Sequence, residues 1–229
     1  MPAKKVTKPR PVRDAVHKLI RRTPKQARGQ QRVDEILDAA ERLTRTTSWD
    51  KLSTNHIAAE AGIPIGSLYQ FFANKHAIAQ ALVERYVASI EEAFASLPKN
   101  IETMSPAELV NAIFDSLLVV TQKQSGLHAM LMATSEESEI GKISAPIRNL
   151  LRDQIERTLA ARAPWMSPAD RKVHALISHL TNRAIFAQSI SLNKQGDEAG
   201  ARNLLRQARI MQIAYYDHLL QEHEVSLHK

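Results

Sequence analysis

Apolar side chains recur at helical spacing from Gln30 onward. Val33, Ile36, Leu37, Ala40 and Leu43 share one face, and Asp34 and Glu35 stand in the first turn, where the helix dipole favours acids. This predicts a helix ending near Thr46. The turn-like stretch TTSWD follows, with Trp49 as a plug of the core. LSTNHIAAEAG then predicts a helix of about two turns, capped by Ser53 or Thr54 and stopped by Gly62. With Ser53 as the cap, Leu52 and Ile57 occupy the positions of a hydrophobic staple. So short a helix is not stable alone and needs a close partner, which Ala58 and Ala61 permit.

The stretch AGIPIGSLYQFFANK, Ala61 to Lys75, does not suit a core helix or a plain loop. Gly62 stops one helix, Ile63 inserts beneath the turn, and Pro64 opens the next helix without needing a backbone donor. Gly66 and Ser67 keep that first turn narrow enough for its backbone to approach another surface. Leu68 and Phe72, four apart, anchor the inner face. Ile65, Ser67, Tyr69 and Gln70 are then left to point outward, and Asn74 can cap a further helix that has Lys75 in its first turn. The unit reads as a helix-turn-helix whose lean second helix suits a major groove.

Beyond it the periodicity lengthens. Ile78, Leu82, Tyr86, Ile90, Phe94 and Leu97 mark one long helix, and PKNIETMSP breaks it. Ser105 and Pro106 open the next helix, which carries Leu109, Ile113, Leu117 and Val120. A shorter segment GLHAMLMA follows, and GKISAP leads into Ile147, Leu150, Leu151, Ile155 and Leu159. Ser167 and Pro168 restart the chain with Val173, Leu176, Ile177, Leu180 and Ala184. After the loop NKQGDEAG, the last helix carries Leu204, Leu205, Ala208, Met211, Tyr215 and Leu219. No strand or repeat emerges. The fold class is all-α, about nine helices: a three-helix head, residues 28–75, and a helical body, residues 76–229.

Charge changes the picture at one end. Residues 1–30 hold ten Lys/Arg against the single acid Asp14, so the net +7 of the 229 residues divides into +9 there and −2 elsewhere. Residues 1–27 read as a mobile basic arm, attracted to a polyanion or an anionic membrane surface. Arg21, Arg22, Lys25 and Arg28 are its candidate contacts to DNA. Cysteine is absent, which excludes disulfides and thiolate metal sites. No apolar run reaches the roughly 18 residues a membrane span needs. Neither GxSxG, a P-loop nor HExxH occurs, so no catalytic residue is expected, and no metal or cofactor.

ILDAAERL, IAAEAGIPIGSLYQFFANK and the spacing between them resemble the TetR family of transcriptional regulators closely over about residues 30–80. The remaining chain matches in helix number and length. The resemblance implies a cytoplasmic homodimer, most often a repressor, that sets two copies of the 65–71 helix into a palindromic double-stranded operator. A small-molecule effector of unknown identity would release it. It implies Thr54 and Lys75 as phosphate contacts, and Ile65, Gly66, Ser67, Tyr69 and Gln70 on the recognition element. Ile65 stands where the family often has a basic residue, Phe71 where it often has Tyr or His, and Ser48 where Gly is frequent. The basic arm is placed to compensate for those missing contacts. The long helices 168–193 and 200–222 would pair with their mates, Ala175, Ala184, Ala187 and Ala208 allowing close approach.

Phe114, Met130, Trp165 and Phe186 are candidates to line an effector pocket, against the plainer reading as core. Asn182 and Arg183 are open between orienting a polar ligand group, a dimer contact and a solvated face. Two other functions remain beside this one. One is a regulator of the same fold that acts without ligand or through a protein. The other is a helical protein held to anionic membrane by its leader, for which the 62–75 turn would have no use.

Overall fold

The computed structural model describes residues 27–98, 100–101 and 103–226. Arg21, Arg22 and Lys25 lie outside the described residues. Among the described residues every regular element is helical: α1 (Ala27–Thr44), a 3-10 turn (Trp49–Lys51), α2 (Thr54–Glu60), α3 (Ile65–Phe71), α4 (Lys75–Ala95), α5 (Pro106–Lys123), α6 (Ser125–Ala133), α7 (Glu139–Ile143), α8 (Ala145–Arg162), α9 (Pro168–Lys194) and α10 (Glu198–Ser226). Arg28 therefore sits in the first turn of α1, exposed, rather than in an arm before it. The five-residue α7 is the element the periodicity does not show. It exists because the Ser138 hydroxyl accepts from the Gly141 amide and caps a stretch too short to display a repeat. Among the described residues no helix is long and apolar enough to cross a membrane.

The sequence-encoded starts hold. Ser53 Oγ accepts from the His56 amide at 3.2 Å, and Asn74 Oδ1 from that of Ala77 at 2.9 Å. At the head of α5, Glu108 reaches back to the Ser105 amide at 2.7 Å while Ser105 Oγ accepts from the Glu108 amide, a reciprocal capping box. Ser167 caps α9 by accepting from the Asp170 amide at 3.1 Å while its hydroxyl donates to Asp170 Oδ2 at 2.7 Å, with Pro168 inside the first turn.

The chain divides into two compact units. The first takes the described chain up to Ser96 together with Val120–Leu131 and Ser135–Ser144. Its core is made by Val33, Ile36, Leu37 and Ala40 of α1, Ile57 of α2, Leu68 and Phe72 around α3, and Ile78 and Leu82 of α4, all wholly buried. Arg85 of α4 ties back to α1, donating to Asp38 at 2.6 Å and Glu41 at 2.9 Å. Burial nevertheless raises the Glu41 carboxyl above its usual range, outweighing the pull of Arg85 and Arg45.

Tyr86 of α4 and His128 of α6 form a buried pair, the phenol oxygen 2.9 Å from Nδ1. Burial pushes the Tyr86 phenol well up and the His128 imidazole down to about 4, so the neutral ring accepts at Nδ1 and the phenol donates. Between pH 6.5 and 4 the unfolded chain takes up a proton at this position that the folded one refuses. Stability is therefore lost as pH falls through that window. Going from pH 7 to 4.5 should cost about 2–3 kcal/mol from His128 alone. Urea melts at the two pH values measure it, and His128→Leu should flatten that difference.

The second unit comprises Leu97–Val119, Met132–Thr134 and the described chain from Ala145 onward. There α8 packs on α9, and α9 on α10. The α9–α10 seam is lined by Ala175, Ser178 and Ser189 on one side and Ala201, Ala208, Gln212 and Leu219 on the other, all buried. Ala175 and Ala208, expected to face a partner copy, thus lie inside the chain. Ala184 is exposed and Ala187 half-buried.

Candidate nucleic-acid interface

The short helix α3 is held from below and bare above. Gly62, at φ 66°, ends the α2 segment in the left-handed region that favours glycine, and the Ile63 amide donates to Ala58 O at 3.0 Å. Pro64 stands one residue earlier than expected, as the N-cap of α3 rather than its first helical residue. Leu68 and Phe72 are wholly buried, which fixes the rotation of the helix. Ile65, Gly66, Tyr69 and Gln70 then face outward, Ser67 and Phe71 half so, and Tyr69 is 43% exposed. A Cβ added at Gly66 would meet nothing in the protein. The glycine is not required by packing and leaves the helix backbone open to an approaching surface.

Thr54 joins this face. Its hydroxyl lies 3.0 Å from the Tyr69 phenol oxygen, so the start of α2 and the middle of α3 present one linked pair of hydroxyls. Arg42 braces the assembly from α1, donating to Glu60 at 2.7 Å.

Lys75 is used differently from the sequence expectation. Its ammonium donates to Leu52 O at 2.9 Å and Trp49 O at 3.0 Å, with Asp50 O at 3.5 Å, and lies 5.5 Å from the centroid of the buried Trp49 ring. Three carbonyls meet the three protons of the ammonium. The side chain thereby ties the first turn of α4 to the turn that precedes α2. We expect Lys75→Met to lower folding stability by about 1–3 kcal/mol, because three carbonyls lose a charged donor. Chemical denaturation reads that loss directly, while a residue acting only at phosphate would leave the midpoint unmoved. His76, next in α4, contacts Glu139 of α7, a pairing 63 residues apart that no local pattern signals.

Two of the expected pocket residues meet. Phe114 and Phe186 stack, centroids 6.2 Å apart, in the second unit. Met130 is buried in the first unit, and Trp165 is 44% exposed. Arg183 donates to Thr134 O at 2.8 Å.

The helix-turn-helix geometry has a counterpart in sequence comparison. The model of bacterial regulatory proteins of the tetR family matches residues 36–82. The tetracyclin repressor-like C-terminal domain model matches residues 105–215. The chain belongs to the TetR family. Its α2–α3 unit is the DNA-binding helix-turn-helix of a transcription regulator. No curated protein sequence matches it significantly. Among solved structures it is similar to a TetR-family transcriptional regulator from Streptomyces coelicolor, with 23% identity over 81% of this chain and 97% of that one and a TM-score of 0.54. The SmeT–triclosan complex shares 19% identity over 81% and 91%, with a TM-score of 0.61. The fatty acid degradation regulator FadR from Bacillus halodurans shares 14% over 80% and 94%, with a TM-score of 0.58. At these identities the likeness shows the fold.

Proposed function

We propose that the protein is a dimeric repressor that grips a palindromic operator with two copies of α3 and lets go when a small molecule enters its helical body. The observation that carries this reading is the outward face of α3, where Ile65, Gly66, Tyr69 and Gln70 stand exposed on a helix locked by Leu68 and Phe72. In a major groove the Gln70 amide matches the N6 and N7 edge of adenine, and the Tyr69 ring a thymine methyl or a phosphate. Thr54 lies beside them as a phosphate contact. Lys75, occupied by carbonyls, serves as a positioning residue, so phosphate attraction falls to Arg28 and to Arg21, Arg22 and Lys25 before it.

Dimer formation is supported by an apolar stripe. Val173, Leu176, Ile177 and Leu180 of α9, with Ile210 and Met211 of α10, are 41–54% exposed. Spacing of i, i+3, i+4 and i+7 puts the four α9 residues on one face, and such a face asks for a cover. Release by a ligand is supported by the family and by SmeT, whose structure holds triclosan. A differential affinity of about 1–3 kcal/mol for a head separation unlike the roughly 34 Å between half-sites is enough to shift the balance.

Selection of bound duplexes from a random pool tests the reading. A palindrome with half-sites one helical turn or a small multiple of it apart is the expected product. Failure to enrich any duplex would overturn it, and enrichment of a single, unrepeated half-site would remove the dimer from it.

A further inference from the structure

We propose that Ile65 is a specificity determinant of the operator: its aliphatic end reads the C5-methyl group of a pyrimidine, thymine in unmodified DNA, in the major groove. The proposal rests on the operator-binding reading above and names the base that the first turn of α3 meets.

The position of Ile65 carries it. Pro64 is the N-cap, so Ile65 is the first helical residue of α3. In a helix-turn-helix the N-terminal residues of the second helix are the ones that reach base edges. Leu68 and Phe72 are wholly buried and set the rotation of the helix. Ile65 and Tyr69, four apart, then share one outward ridge, with Gly66 and Gln70 on the next. Ile65 is 36% exposed and Tyr69 43%. The Tyr69 phenol oxygen is tethered at 3.0 Å to the Thr54 hydroxyl, at the start of α2. Ile65 has no polar atom to tether. Gly66 beside it adds no side chain, and a Cβ there would meet nothing in the protein. The first turn can therefore carry an aliphatic group to the groove floor.

Chemistry then narrows the target. The seven residues of α3, IGSLYQF, carry no charge, so no guanidinium or ammonium reaches for guanine from this helix. Isoleucine neither donates nor accepts. Against the major-groove edge of guanine, adenine or cytosine it would strip water from polar atoms and return no hydrogen bond. The C5-methyl of thymine is the one apolar group that the four bases present in that groove. An exposed isoleucine on an arbitrary surface would mean little. At the first turn of a groove-entering helix, it meets the one base edge that an aliphatic side chain can read. Helix propensity gives no competing reason for it, since a β-branched residue is a poorer helix former than alanine.

Two base analogues isolate the methyl group. Deoxyuridine is thymidine without it, and 5-methylcytosine is cytosine with it. Each thymine of the selected duplex is replaced by uracil, symmetrically in both half-sites, and binding is read by fluorescence anisotropy. One position per half-site should weaken the parent on the order of tenfold, since burying one methyl group is worth roughly fourfold at each half-site. With cytosine at that position, C5 methylation should strengthen binding by a similar factor. Ile65→Ala should bring both effects there to within about twofold, because its short side chain leaves the methyl group uncovered. Gln70→Ala should leave both in place. Melting curves check the fold, and a low-melting Ile65→Ala leaves Ile65→Gln, which keeps the reach and loses the apolar end, to decide on the same criterion. Uracil tolerated at every thymine would overturn the proposal. So would a uracil effect that 5-methylcytosine does not mirror, which marks duplex stiffness, or a methyl preference that survives in the Ile65 variants. Each of those outcomes leaves operator binding intact, since the parent still holds its duplex. A random pool that yields no duplex sinks operator binding and the Ile65 contact together.

Discussion

Glutamate at both Ile177 and Leu180 should turn the protein into monomers that stay helical but hold DNA at least a hundredfold more weakly. Both side chains are nearly half exposed in the single chain, on the α9 stripe shared with Val173 and Leu176. Taking a large aliphatic side chain from full exposure to full burial yields about 1.5–3 kcal/mol, so covering the exposed half of each yields roughly half of that. A two-fold contact counts each position twice, so four such burials are lost. In their place four carboxylates would enter an apolar, like-charged contact, which costs further. The single chain itself should be indifferent, because neither residue packs in its own core. Analytical ultracentrifugation reads the mass, and the melting curve the intact fold. The affinity loss follows from tethering: a dimer delivers its second head at an effective concentration that multiplies binding by roughly 10²–10⁴. A double variant that still sediments as a dimer would place the interface elsewhere.

That same helix shows where sequence reasoning reaches and where it stops. The stop and start chemistry is local, so Ser53, Gly62, Asn74, Ser105 and Ser167 mark boundaries that the structure reproduces. The outward set on α3 was legible for a related reason: Leu68 and Phe72, four apart, leave one rotation for a helix of seven residues. On α9 two apolar or small-residue stripes compete, one through Ala175 and Ser178, the other through Val173, Leu176, Ile177 and Leu180. Periodicity says that both are faces but not which one the chain covers itself. By spacing the alanines suit a partner's helix, whereas the structure folds Ala175 and Ala208 inward. Lys75 shows a second limit, the long-range contact. Its position matches a phosphate contact, yet the carbonyls of Trp49 and Leu52 converge on it from 26 and 23 residues upstream. The pairs His174–Tyr215 and Ser178–Tyr216 were equally hidden, because they depend on the register of α9 against α10.

Gly62 and Gly66 should part company when each is substituted, although a Cβ meets no atom of the protein at either position. Leucine at Gly66 is expected to leave folding intact. The residue is exposed in the first turn of α3, its backbone is ordinary helix, and any side chain there raises helix propensity by up to about 1 kcal/mol over glycine. DNA binding should nevertheless fall by on the order of 100-fold, about 2.7 kcal/mol. An isobutyl group would stand between the helix backbone and the groove surface that the missing side chain lets it approach. Alanine at Gly62 should do the opposite. Its φ of 66° lies where an L side chain costs about 1–2 kcal/mol, so the melting midpoint drops. The outward face of α3 is untouched, and affinity per folded molecule should change less than about threefold. Melting curves and fluorescence anisotropy on the selected duplex, run on both variants, give a crossed pattern if α3 enters the groove by its first turn. Gly66→Leu binding as tightly as the parent would mean that this turn never comes close to the DNA.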